Sequence, residues 1–146
     1  MSSVSIQAVS RVFETAKGQR TQALQPVDFE VRENDFVTIL GPSGCGKSTL
    51  LRIVAGLDHA TSGRVLLDGV PVEGPGADRG MVFQSYTLFP WLTIEQNIRF
   101  GLRERGMPET LQKERAAYFI AKVGLRGFEQ HFPKQLSGGM QQRTAI

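Results

Sequence analysis

Apolar and polar positions follow one rhythm in the first 85 or so residues and another from about Thr93 onward. The early segments "VDFEV" and "FVTIL" are short and apolar-rich. They read as two strands joined by "REND", where Asn34 tolerates a left-handed backbone. The second strand runs into a Gly-rich loop, and "STLLRIVAGL" continues as a helix. Leu50, Leu51, Ile53 and Val54 give that helix its apolar face, and Gly56 is its stop. "GRVLLDGVPV" alternates around Asp68-Gly69, a strong hairpin signal, and "RGMVFQ" reads as a further short buried strand. After Thr93 the period lengthens. "TIEQNIRFGLRERG" and "PETLQKERAAYFIAKVGL" are both helical, the second with Ala116, Phe119, Ile120 and Val123 on one face. Pro108 can open that helix and Gly124 can close it. No internal repeat, low-complexity tract or long linker interrupts the pattern.

Composition narrows the class. The 146 residues suffice for one domain with a real core, and 40% are hydrophobic, as in ordinary globular proteins. No apolar run approaches the roughly 18 residues of a membrane span. The start "MSSVSIQAVSRVFE" lacks the basic and apolar blocks of a secretory signal. A single Cys excludes an internal disulfide and fits a reducing compartment, so a cytoplasmic protein is expected. The net charge of +3 comes from scattered Lys and Arg without a basic run, which argues against nucleic acid as partner.

The chemistry concentrates in "GPSGCGKST". Gly41, Gly46, Lys47 and Ser48 match G-x-x-x-x-G-K-[ST] between a predicted strand and a predicted helix. The glycines let successive backbone N–H groups curl into an anion nest, and the helix N-terminus adds further donors. Lys47 is placed to reach β- and γ-phosphates, and the Ser48 hydroxyl to ligate Mg²⁺. Pro42, Ser43, Gly44, Cys45 and Thr49 complete the expected nucleotide-binding segment. Within it, Cys45 reads as a small side chain rather than a nucleophile. His59 and His131 lack metal-ligand spacing and a neighbouring nucleophile, so they read as solvated or capping residues.

A second Gly-rich segment, "LSGGMQQR", opens a helix near the C-terminus. Alone it is an ordinary loop and cap. Behind a phosphate loop at this separation it resembles the signature motif of ABC transporter nucleotide-binding subunits, LSGGQ, with Met140 in place of the usual Gln. The resemblance covers the whole chain. It implies an α/β P-loop NTPase fold of the ABC type, N-terminal part only, with an antiparallel β-subdomain and a helical subdomain. The expected division is residues 1–92 for the P-loop core and β-subdomain and 93–146 for the helical subdomain. The resemblance further implies ATP and Mg²⁺ as cofactors. Gln84 falls at the family's Q-loop glutamine, contacting Mg²⁺ and the attacking water, and Phe13 falls where an aromatic ring stacks on adenine.

In that family two subunits pair head-to-tail. Ser137, Gly138 and Gly139 are accordingly expected to close on ATP held by the partner, whether a second copy or another nucleotide-binding subunit. "GPGADRGMVFQSYTLFPWLTIEQNIRFGL" is most similar to the nitrate, sulfonate and taurine importer branch. Leu88, Phe89, Pro90 and Trp91 then either meet the coupling helix of a transmembrane permease or fill the helical core. The expected location is peripheral, on the inner face of the cell membrane through that permease.

The family's Mg²⁺ Asp, water-polarising Glu and switch His follow the signature helix, and the chain stops at Ile146 before them. It is therefore read as an N-terminal part of an ATPase that energises import of a small solute. The alternative is a non-hydrolytic nucleotide-binding or assembly module, or an inert remnant. A kinase or GTPase fits poorly with the LSGG segment.

Overall fold

A computed structural model describes residues 3–146. They form two compact units, one reaching to Met81 and one from Val82 to Ile146.

The first unit is an antiparallel sheet with one helix. β1 (Val4–Glu14) pairs with β2 (Arg20–Val31) on one side and β3 (Ser62–Leu67) on the other, and the short β4 (Val70–Pro71) edges β3, giving the order β2-β1-β3-β4. "VDFEV" is the end of β2. Asn34 has φ 67° in the turn after it, and Asp35 closes that turn by accepting from Arg32 N at 2.9 Å. The β3–β4 hairpin turns on Asp68 and Gly69, whose φ values of 50° and 81° are the left-handed pair such a two-residue turn demands. Ile6, Val9, Leu24 and Val65 of the sheet pack with Leu50 and Ile53 of α1 (Lys47–Val54) to make the core. Leu51, expected on the apolar face of α1, is exposed instead.

β1 was not signalled by alternation, because a bulge interrupts it. Its ladder to β2 shifts register between Ile6 and Val9, its ladder to β3 between Gln7 and Ser10, and Ala8 adopts φ 47°. The bulge is held by Asp28 Oδ1, which accepts from Ala8 N at 2.7 Å. A side chain at Gly63 would collide with the Ala8 carbonyl, so β3 can approach only with glycine there.

Two expected strands do not form. Residues 36–40 ("FVTIL") and 79–84 ("RGMVFQ") carry no ladder among the described residues, with Phe36 94% and Leu40 86% exposed. Only Ile39 packs partly against the core. An apolar run of this kind becomes a strand when neighbours satisfy its N–H and C=O groups and layers cover both faces. Among the described residues, the four strands of the sheet pair only with one another, and no strand lies beside either segment.

The second unit is helical: α2 (Ile94–Glu104), α3 (Glu109–Lys122), a single 3₁₀ turn (Pro133–Gln135) and α4 (Gly138–Ala145). Thr93 caps α2 reciprocally: its hydroxyl accepts from Gln96 N while Gln96 Oε1 accepts from Thr93 N at 2.9 Å. Pro108 precedes α3, and Gly124, at φ 68°, follows its last residues. Ile94, Ala116, Ile120, Leu125 and Leu136 form the core, with Val123 packed against it. Phe119, expected on that face, is exposed and stands edge-on to Tyr118.

Candidate nucleotide site and signature turn

The Gly-rich loop folds back on itself before α1. A side chain at Gly41 would come within 2.7 Å of Cys45 Sγ, and Cys45 N donates to the Pro42 carbonyl at 3.4 Å. Gly44 and Gly46 have φ of 83° and 99°, a conformation that costs other residues steric strain. Gly46 is also tightly placed, since a Cβ there would lie 2.5 Å from the Ala23 carbonyl of β2. As the N-cap of α1, Gly46 offers no side-chain oxygen to the first turn. The opening amides of α1 therefore have no intrahelical acceptor and no side-chain cap. That first turn carries Lys47, Ser48 and Thr49 and no carboxylate, so nothing there opposes an anion.

Lys47 spans the loop. Its Nζ donates to the carbonyls of Gly41 at 2.8 Å and Pro42 at 2.7 Å and lies 3.6 Å from Cys45 Sγ. Lys47 thus holds a cation at the loop beside the uncapped first turn of α1, an arrangement that suits an anion. Ser48 is exposed one residue into the helix, Thr49 is half-buried, and Pro42, Ser43 and Cys45 are exposed.

Phe13 lies near the end of β1, opposite Thr21 of β2, and is 43% exposed. The guanidinium of Arg11 sits 4.5 Å from its ring centroid and pairs with Asp58 at 2.7 Å. One face of the ring thus already has a cationic neighbour.

In the second unit, Gln84 is exposed in the irregular segment leading to α2. Further along, Phe89 contacts Trp91 at 5.6 Å and Phe100 of α2 at 4.4 Å between ring centroids, and Arg103 lies over Phe100 at 5.0 Å. Leu88 and Phe89 are half-buried, Pro90 is exposed and Trp91 is 70% exposed, so the segment divides between packing and surface. Asn97, which sequence reasoning passed over, fixes it. Its Oδ1 accepts from Phe89 N at 2.8 Å, and its Nδ2 donates to the carbonyls of Phe89, Leu92 and Thr93. A buried-face Asn one turn after a helix cap was the available signal.

Ser137 caps α4, accepting from Met140 N at 3.4 Å, and Gly138 and Gly139 open the helix with no acid in its first turn. Met140 packs partly into the helical core, which accounts for an apolar side chain there. His131 stacks near Phe128, and no cluster of three metal-ligating side chains occurs among the described residues.

The family profile described as ABC transporter matches residues 24–146, which include the whole loop, α1, the Gln84 segment and α4. The chain belongs to the ABC transporter family. It is 57% identical over 97% of its length to an uncharacterised ABC transporter ATP-binding protein of Methanocaldococcus jannaschii, covering 52% of that protein. Against the nitrate import ATP-binding protein NrtD of Synechocystis, identity is 49% over 94% of this chain and 52% of the relative. The taurine import ATP-binding protein TauB of Burkholderia pseudomallei is 48% identical over all of this chain and 56% of its own length. The chain thus spans about half the length of the curated relatives it matches. Among solved structures, a dimeric post-hydrolysis ATP-binding cassette bound to ADP and phosphate superposes with TM-score 0.84 at 34% identity, over 97% of this chain and 66% of that one. This ABC chain therefore has the fold of the N-terminal part of a cassette ATPase, and its relatives include import proteins for nitrate, taurine and sulfonates. No helix among the described residues is long and apolar enough to cross a membrane.

Proposed function

We propose that this chain supplies the nucleotide-recognising part of an ABC importer's ATP-binding subunit, coupling ATP binding and hydrolysis to uptake of a small solute of the nitrate, sulfonate or taurine kind. The observation that carries the reading is the loop at residues 41–48: left-handed glycines, uncapped amides of α1, and Lys47 held across the mouth. These donors fit a triphosphate, and the Ser48 hydroxyl is an oxygen donor for Mg²⁺. Phe13 takes the adenine on the ring face away from Arg11. Ser137, Gly138 and Gly139 serve nucleotide on a second subunit in a head-to-tail dimer. The names of the nitrate and taurine relatives and the dimeric state of the structural neighbours support that assignment. The exposed Trp91 and its Asn97-braced neighbours are the surface offered to a transmembrane permease, which would hold the subunit at the inner face of the membrane.

The test is titration of purified 1–146 with a fluorescent MgATP analogue, alongside Lys47→Ala. Saturable binding, displaced by ATP and lost in Lys47→Ala, is expected. Equal binding by the variant would reject the loop as the site.

A further inference from the structure

The ion pair of Arg11 with Asp58 is left without a role by this reading. Asp58 lies just beyond α1, in the segment that returns the chain to β3. That segment is stapled along β1: Thr61 N donates to the Ser10 carbonyl at 2.8 Å, and Thr61 Oγ1 accepts from Val12 N at 3.0 Å. Arg11 stands between these two anchors, and its Nη2 meets Asp58 Oδ1 at 2.7 Å. The same oxygen accepts from His59 N at 2.7 Å, so backbone fixes the carboxylate that fixes the guanidinium. Both side chains are less than a quarter exposed, and a pair so sheltered is held more firmly than a surface pair. Arg11 Nε is buried and finds no hydrogen-bond partner among the described residues. The idle donor is accounted for if the guanidinium serves as a flat surface. That surface lies against Phe13, with Cζ 4.5 Å from the ring centroid. The ring is itself partly exposed, so it keeps a free side.

We infer that Arg11 is a positioning residue for the nucleotide base: anchored by Asp58, it backs the Phe13 ring and fixes the plane that the ring offers. The brace runs from Phe13 through Arg11 and Asp58 to the end of α1, the helix whose first turn carries Lys47. Base platform and phosphate loop are thereby tied to one helix within one compact unit. This use of the brace rests on the nucleotide reading above; the brace itself does not.

Two measurements on the 146-residue chain separate the brace from its use. In the ligand-free chain, the Arg11 Nε proton should carry an upfield ring-current shift in the NMR spectrum. The shift should vanish in Phe13→Leu and shrink in Asp58→Asn, which keeps the side chain's size but removes its charge. An unshifted signal, or one that Asp58→Asn leaves alone, overturns the brace. The second measurement is titration calorimetry with MgATP and with magnesium triphosphate. Arg11→Met keeps most of the side chain's length and removes the planar cation. It should weaken MgATP about threefold, the scale of a single cation–π contact, and leave triphosphate unchanged. Arg11→Lys, which restores the charge without the plane, should recover part of the loss. A purely structural role would weaken both ligands alike, so equal losses overturn the positioning role. Full MgATP affinity in Arg11→Met overturns it too. A wild type that binds neither ligand overturns the nucleotide reading instead, and the spectrum still decides the brace.

Discussion

Cys45 and Lys47 show how closely single side chains in the loop share one space. The exposed Sγ of Cys45 lies 3.6 Å from Lys47 Nζ and sits where a side chain at Gly41 would have to go. Alkylation of Cys45 should therefore be slowed by saturating MgATP, since adduct and phosphate compete for the same loop. Labelling followed by mass spectrometry checks this, and equal rates with and without nucleotide in folded protein would contradict the placement. At Phe13 the expectation concerns the base. Phe13→Ala should weaken ATP by about 1–2 kcal/mol, the scale of aromatic stacking on a base, and inorganic triphosphate hardly at all. Isothermal titration with both ligands decides, equal losses meaning that Phe13 serves the sheet through Arg11 instead. Glu109 offers an electrostatic check. Its carboxyl is held below the ordinary 4.5 first by the hydrogen bond and charge of Lys113, then by those of Arg99. A depressed value means that the contribution to stability is present above the ordinary value and is lost as acid protonates the group. Lys113→Ala should move the Glu109 midpoint upward in an NMR pH titration.

Helices and strands differ in how much of themselves they carry in sequence. α2 announces its start with Thr93 and Gln96, and both halves of the capping box are formed. Thr93→Ala should accordingly cost about 1 kcal/mol, typical of a lost N-cap, seen as a lower thermal midpoint for the helical unit. Pro108, Gly124 and the Asp68-Gly69 turn were equally readable, because each acts through its own backbone angles. What the sequence concealed depends on partners distant along the chain. β1 hides behind a bulge that Asp28 and Gly63 stabilise from other strands. Residues 36–40 look like a strand in composition and are not one here, since a strand requires neighbours that composition does not supply. The α3 face departs from its periodic pattern at one position: Phe119 is left out, and Leu125 and Leu136 complete the helical core from outside the helix. The loop at 41–48 was legible as a motif. The Asn97 brace was legible only in part: an Asn one turn after a helix cap is a signal, but its partners Phe89 and Leu92 lie in the irregular segment before α2.

Over the chain as a whole, recognition and turnover have different requirements. On the reading proposed above, Lys47 and the α1 amides provide for phosphate, and the first turn of α1 carries no carboxylate. The purified 146-residue polypeptide is expected to bind MgATP and to release phosphate no faster than Lys47→Ala does, since none of the residues assigned to the nucleotide above is a carboxylate, and general-base assistance typically contributes about 10²–10⁴-fold. A phosphate-release assay checks this. Turnover near one per second that disappears in Lys47→Ala would mean that a carboxylate within these residues performs the work, and would overturn the prediction.

The close approach of Gly63 to the Ala8 carbonyl also has a consequence for descent. Here a side chain would meet backbone, which no rotamer change can move aside, at a residue whose φ of 75° already favours glycine. Two changes that are acceptable together are therefore unequal in order: losing the bulge in β1 first opens room at 63, whereas enlarging residue 63 first meets the bulge. Relatives with a side chain at the position of Gly63 should have lost the bulge at the position of Ala8, and reconstructed ancestors should show that loss first.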